Sequence, residues 1–498
     1  MASLDLVRLR EDLEAFQSSL TEEFYNNYAG LKDEMSTVPI YGKYAHLFSK
    51  ETLGQIDEKA AEELPPEDAR CMAYLKAFST SGFIDNAVKE FTDRANTFEA
   101  QSVVSFDGEE IPYRFVPIKL RSEPDRIRRG RLFEAKLKEM AKLNEILLIR
   151  MTAAHQLSES LGFKNYRDLM SVLKKIDYMS LEGQMEEMLH RTESLYTEAM
   201  EKLLLEKAGV ALSEAWSYDI PYVFKGDEYN KYFDKDKLVP AFFDTLKRMG
   251  IEPERYSNIT IDAEDRPKKT PRAFCSPVRI PSDVRLVIRP VGGWKDYDAF
   301  FHEGGHAWHF GNTHQDLPPE YRYLGDNSVT EAFAFLFNYL PSNRLWLKDR
   351  LGMEEIEKYV RFSLVNKLMF LRRYASKLVY EMKLHQRVVT GDMGDVYRNC
   401  LQRGLKFRHT ELHYLEDVDD GFYCAEYLRA WILEGQLREA MEDKFGERWF
   451  SEPRAGEYLR ELWSYGQKYN ADELVKTLGY GELDFEPVLI EIEKGLGD

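Results

Sequence analysis

Cysteine is scarce in this 498-residue chain: Cys71, Cys275, Cys400 and Cys424 lie far apart, with no pair at metal-clip spacing. They read as buried or partly buried thiols in a reducing compartment, which points to a cytosolic protein. Long apolar runs are missing too. No stretch approaches the roughly 18 uncharged apolar residues of a membrane span, and the start, Met1-Ala2-Ser3-Leu4-Asp5-Leu6-Val7-Arg8, lacks the apolar centre of a signal peptide. A basic excess is absent as well: 68 basic against 86 acidic residues leave a net charge of −18, so a nucleic-acid partner is not expected. Acidity on this scale means solubility above all. Internal repeats and low-complexity tracts are also lacking.

What is present supports a large folded core. Hydrophobic residues make up 44% of the chain and aromatics 13%, too apolar for disorder, and the length exceeds one ordinary domain. We divide it into an N-terminal helical lobe, 1–235, and a catalytic lobe, 236–498. Most of it reads as helix. Phe133, Leu137, Met140, Leu143, Leu147, Met151 and Ala154 recur at spacings of three and four, and Leu161-Gly162 supplies a stop. Amphipathic runs cover 181–208, 355–390 and 422–443. One region, 272–290, reads as strand, with Pro281-Ser282-Asp283 as a hairpin turn. The expected class is mainly α, with a small sheet just before the most informative segment.

That segment is His302-Glu303-Gly304-Gly305-His306. On a helix, positions i and i+4 share a face, so both imidazoles can reach one ion. Glu303 is rotated about 100° from His302, where it can act as a base on an activated water without being a ligand. Asp296 is expected to cap the helix and Gly311-Asn312 to close it. Two adjacent glycines each cost about 1 kcal/mol in a helix interior. Close approach of another backbone, a peptide substrate or the strand that binds it, would offset this.

The third ligand follows from Ser328-Val329-Thr330-Glu331-Ala332-Phe333-Ala334-Phe335. Glu331 is an acid ahead of an apolar helix, with no comfortable exposed face, so it needs a partner such as a metal. It completes three protein ligands and leaves an open position, as catalytic zinc requires. His309 is about 10 Å along the helix from His302, too far to share the ion, and His314 does not stand at metzincin spacing. We expect one zinc ion per chain.

These residues, with Ala273-Phe274-Cys275 before them, Leu161-Gly162-Phe163-Lys164-Asn165-Tyr166-Arg167-Asp168-Leu169 and Tyr427-Leu428-Arg429-Ala430-Trp431, resemble the thimet oligopeptidase and oligoendopeptidase F family of gluzincin peptidases. The likeness is strong over 270–340, moderate over 150–230 and 410–440, and absent before 100. It implies two helical lobes around a deep channel with zinc on its floor, and cleavage of short peptides. It also implies substrate contacts from Ala273 and Cys275 in the strand region and from His413, although His413 falls out of the family's register. Phe335 stands where some gluzincins carry a second acid. Asp419-Asp420 reads as a helix N-cap that places Tyr423 and Tyr427 one turn apart, two phenols able to donate to an oxyanion. Tyr427 is the preferred donor.

Two other readings compete. Glu187-x-x-His190 and Glu303-x-x-His306 together mimic a di-iron helical oxidase, but leave His302 and the double glycine without a purpose. A catalytically silent peptide-binding scaffold would not need Glu303. Oligomeric state, cleavage preference and endo- versus carboxypeptidase action are left open by the sequence.

Overall fold

The helices expected from apolar periodicity are present in a computed structural model, which describes residues 4–32, 34–389, 391 and 393–497. Met1, Ala2 and Ser3 of the N-terminal segment read above, and Thr390 at the end of the 355–390 run, lie outside the described residues. In chain order, helix α1 spans Leu6–Tyr28 and a hairpin of β1 (Val103–Phe106) and β2 (Glu109–Pro112) follows. Helix α2 (Arg126–Ser160) buries Phe133, Met140, Leu143, Met151 and Ala154. It ends where expected, with Gly162 at φ +89° just past its cap. The 181–208 run is two helices, α3 (Tyr178–Arg191) and α4 (Glu193–Ala208), broken at Thr192. Strands β3 (Ile259–Asp262), β4 (Phe274–Arg279) and β5 (Asp283–Val287) precede α5 (Trp294–Asn312) and α6 (Asn327–Tyr339). Other long helices are Pro66–Gln101, which precedes β1, and later α7 (Ile356–Leu384) and α8 (Tyr423–Phe445). Among the described residues, no helix is long and apolar enough to cross a membrane.

The strand reading was incomplete. β4 and β5 form the expected antiparallel hairpin, with Cys275 opposite Leu286. The added strand, β3, pairs parallel to β5, so that β5 is the central strand of three. A parallel neighbour leaves no local turn signal, which is why the sequence did not reveal it. The β1–β2 hairpin did carry a signal. Asp107 and Gly108 both take positive φ (50° and 85°), the Asp-Gly turn that fits a strand twist.

Two compact units are formed. The first gathers Met1–Phe83, Asp227–Arg361 and Glu426–Glu491, and the second Ile84–Gly226, Phe362–Ala425 and Ile492–Asp498. Their segments interleave along the chain, whereas the sequence reading cuts it once, at residue 235. The β3–β5 sheet, α1, α5 and α6 all belong to the first unit. There α1 packs on β4, with the Tyr28 and Phe274 rings 5.9 Å apart.

Helix α5 lies against the sheet on one side and α6 on the other. It begins at Trp294, two residues before the expected cap. Asp296 instead reaches back from the first turn and accepts the Val291 and Gly292 amides at 2.6 Å each. The double glycine is explained by packing within the fold and not by a substrate. A Cβ on Gly305 would lie 2.6 Å from Ala334 Cα and 2.7 Å from the Phe333 carbonyl oxygen, both backbone of α6. A Cβ on Gly304 would enter the ring of Phe242 at 2.4 Å. That ring is itself fixed between Phe300, Phe301, Trp308 and Phe337.

Gly305→Ala therefore has to push two helix backbones apart. We expect a loss of about 1–3 kcal/mol, the usual scale of overpacking, read as a lowered Tm. Gly183→Ala, on α3 with open space where the Cβ goes, should be stabilising by roughly 0.5–1 kcal/mol because alanine favours helix. Equal stability of the two variants would contradict the packing account.

Candidate metal centre

Three side chains converge where α5 meets α6. Among the described residues, His302, His306 and Glu331 form a group whose ligand atoms all lie within 4.8 Å of one another. The two imidazoles come from consecutive turns of α5, and Glu331 from α6. That helix is started by Asp326, whose carboxylate accepts the Ser328 amide at 2.9 Å. One oxygen, Glu331 Oε2, is 3.3 Å from His302 Nε2 and 3.5 Å from His306 Nε2. The chemistry of the set fits zinc. With ligands at about 2.0–2.1 Å, the edge of a tetrahedron is roughly 3.3–3.4 Å, close to the two separations from Glu331 to the imidazoles. Two histidines and one glutamate also leave one of four positions open.

The electrostatics are those of a cation site. Burial works against charge on His302, yet the Glu331 carboxylate overrides it and lifts the imidazole to about 9. Burial likewise favours a neutral Glu331, but the two imidazoles hold it far below the ordinary carboxylate range. The field that keeps a proton on His302 is the field that would retain a divalent cation.

Both imidazoles are supported by side chains of α6. The His306 Nδ1 lies 2.8 Å from the Thr330 hydroxyl. A hydroxyl accepting from Nδ1–H leaves the Nε2 lone pair facing Glu331, the tautomer a metal requires. Thr330 directly precedes Glu331, so one turn of α6 supplies both a ligand and the brace of another. The His302 ring packs against Phe335, centroids 5.2 Å apart, where a second acid was noted as missing. Asp298, one turn earlier on α5, adds negative charge in the neighbourhood of His302. Burial pushes the Asp298 carboxyl up, and Asn338 of α6 donates to it at 2.6 Å. The sequence held a clue to Asp298 in its i, i+4 spacing to His302. It held none to Thr330, whose role depends on how two helices cross.

Glu303 points to the sheet side of α5. The Cys275 amide of β4 donates to its Oε2 at 2.8 Å, which leaves Oε1 for other work. Burial raises the Glu303 carboxyl above its ordinary value, and the two imidazoles partly offset this. Cys275 thus touches the proposed base through its backbone, and Ala273 directly precedes β4. Tyr427 lies in the same unit on α8, its ring edge-on to Phe335 at 5.3 Å and to Trp431 at 5.7 Å. Phe335 therefore stands between the rings of His302 and Tyr427.

Tyr423 and His413 belong to the second unit. The His413 Nδ1 lies 3.4 Å from Glu416 and its ring stacks on Phe133 at 5.9 Å. Tyr423 opens α8 after a short turn, Asp420–Phe422. The expected N-cap at Asp419-Asp420 is not formed: neither carboxylate caps that turn. Asp419 pairs with Lys377 at 2.6 Å and Asp420 with Arg150 at 2.8 Å. Charge-assisted bonds to long cations compete successfully with neutral amides. Glu187 and His190, the second half of the di-iron reading, are exposed on α3. A bundle-core site would need both directed inward.

No protein-family model matches the chain, and no curated protein matches it. Solved structures do. A Bacillus anthracis str. Ames protein provisionally assigned as an oligoendopeptidase F shares 17% identity, over 95% of this chain and 84% of its own, with a TM-score of 0.65. PZ peptidase A, solved with an inhibitor, is similar at 15% identity over 96% and 86% of the two chains, TM-score 0.64. An M32 carboxypeptidase from Deinococcus radiodurans R1 matches at 15% identity over 99% of both, TM-score 0.61. This chain is mainly helical and has, over nearly its whole length, the fold of these peptidase structures, as the resemblance of the His302–Glu331 segment implied.

Proposed function

We propose that this protein is a zinc-dependent peptidase that hydrolyses short peptides, with Glu303 as general base. The observation that carries the proposal is Glu331 Oε2 at 3.3 and 3.5 Å from two imidazole nitrogens, with Glu303 next to one of them in sequence. The peptide substrate class is supported by the neighbours named above, two of them a PZ peptidase and a carboxypeptidase.

His302, His306 and Glu331 would hold the ion. When bound, zinc supplies Lewis acidity and makes water acidic enough to give up a proton near neutral pH. Glu303 takes that proton on the oxygen not occupied by the Cys275 amide, and then delivers it to the departing amine nitrogen. Its raised affinity for protons, a result of burial, suits a group that must both accept and return one. Thr330 holds the His306 ring through its Nδ1, and Phe335 packs against His302. We assign Tyr427 as the donor to the oxyanion that forms when water adds to the carbonyl. The phenol O–H gains strength as negative charge develops there. Tyr423 is the alternative donor, and Ala273, Cys275 and His413 remain candidates for substrate contact.

The pure chain should bind one zinc ion, measured by elemental analysis. Glu331→Ala should lose it, because two histidines alone hold a divalent ion poorly. Full occupancy in that variant would remove Glu331 from the ligand set. Glu303→Gln should keep the metal yet turn over peptides at least about a hundredfold more slowly, the scale of a missing general base. Turnover near that of the parent would assign the base elsewhere.

A further inference from the structure

Glu426 is buried, 1% exposed, in the first turn of α8, beside the residue assigned as oxyanion donor. A carboxylate so deeply buried is costly unless its oxygens are occupied. Both oxygens are engaged by one residue, Asn327, the first of α6. The Asn327 amide N–H donates to Oε1 at 3.3 Å, and its side-chain Nδ2 lies 3.3 Å from Oε1 and 3.2 Å from Oε2. The backbone N–H is one of those that a helix start leaves without an internal partner, and a negative group is favoured there by the helix dipole. A second link runs parallel to the first. Arg429, one turn along α8, lies 3.6 Å from Asp326, the cap of α6, and 2.7 Å from Asp472.

The consequence is positional. Glu331 stands one turn beyond Asn327 on α6, and Tyr427 stands next to Glu426 on α8. The Glu426–Asn327 contact therefore ties the helix that carries a metal ligand to the helix that carries the tyrosine. Phe335, touching both His302 and Tyr427, and stacked on Trp431 at 4.7 Å, fills the space this tie defines. No such coupling was visible in the sequence, where residues 327 and 426 are remote.

We infer that Glu426 is a positioning residue: by gripping Asn327 it fixes α8 against α6 and so sets the Tyr427 hydroxyl relative to the metal ligands. The inference rests on the peptidase reading above. It concerns geometry only, since Glu426 acts through Tyr427. A displacement of about 1 Å at such a group can cost on the order of a hundredfold in rate.

The test is a double-mutant cycle on the zinc-loaded, full-length protein with a fluorogenic short peptide. Glu426→Ala should lower kcat roughly ten- to a hundredfold, with KM and zinc content unchanged. In a Tyr427→Phe background the same substitution should lower kcat by less than about twofold, because the group it positions is gone. Glu426→Gln, which keeps an acceptor oxygen for the Asn327 amide, should recover most of the loss. Asn327→Ala, which removes two of the three bonds from the other side, should reproduce the effect if Glu426→Ala does not fold. Equal losses in both backgrounds, or a fall in zinc content that accounts for the rate, would make Glu426 merely structural and overturn the inference. The peptidase reading is judged separately, by the Glu303→Gln rate. Full kcat in Tyr427→Phe with turnover still abolished in Glu303→Gln would remove the tyrosine and the inference with it, and leave the hydrolase standing.

Discussion

The candidate metal centre depends on how closely α5 and α6 approach at Gly305. The ligands are divided between these helices, two imidazoles on one and a carboxylate on the other. Their 3.3 and 3.5 Å separations hold only at one inter-helix distance. A side chain at 305 would strike the backbone of Ala334 at 2.6 Å, and backbone cannot rotate out of the way. Glycine is destabilising in an isolated helix, but here it permits a contact from which the three candidate ligands follow. Gly304 serves the same end on the neighbouring face by admitting the Phe242 ring.

Around this contact, polar groups of one helix reach functional groups of the other. Thr330 braces one histidine from the position before Glu331, while Asn338 of α6 reaches across to Asp298, which faces the other. Glu303 is steered away from the ligand set by a backbone amide of β4. Buried polar networks of this kind are costly when incomplete and specific when complete. The Thr330 and Asn338 contacts, together with the Cys275 amide on Glu303, are what make a catalytic reading of the His302–Glu331 segment physical.

How much of this was legible in the sequence differs from residue to residue. His302, Glu303 and His306 could be read from helical spacing alone, because i, i+1 and i+4 fix their directions. Glu331 could be read from burial, as an acid with nowhere polar to go. The end of α2 is legible through Gly162. The double glycine was recognised as a close approach to backbone, but its partner lay 29 positions away on α6, and no local pattern names a partner at that range. β3, Thr330 and the Glu426–Asn327 tie were hidden for the same reason. Asp419 and Asp420 failed differently: they have the chemistry of a cap, but Lys377 and Arg150 offer them stronger partners. Local rules gave way there to tertiary charge. Asp298, at i, i+4 spacing from His302, and the Asp107-Gly108 turn carry local signals of their own.

The fold is shared with structures described both as an endopeptidase and as a carboxypeptidase, so the decisive measurement is one that assumes neither. The pure protein is incubated with a mixed library of short peptides, untreated, after chelation, and after chelation followed by one equivalent of zinc, and the products are mapped by mass. The account predicts peptide-bond cleavage in the first sample, none in the second, and the same cut sites restored in the third. Cleavage that persists without metal, or no cleavage in the zinc-restored sample, would contradict it.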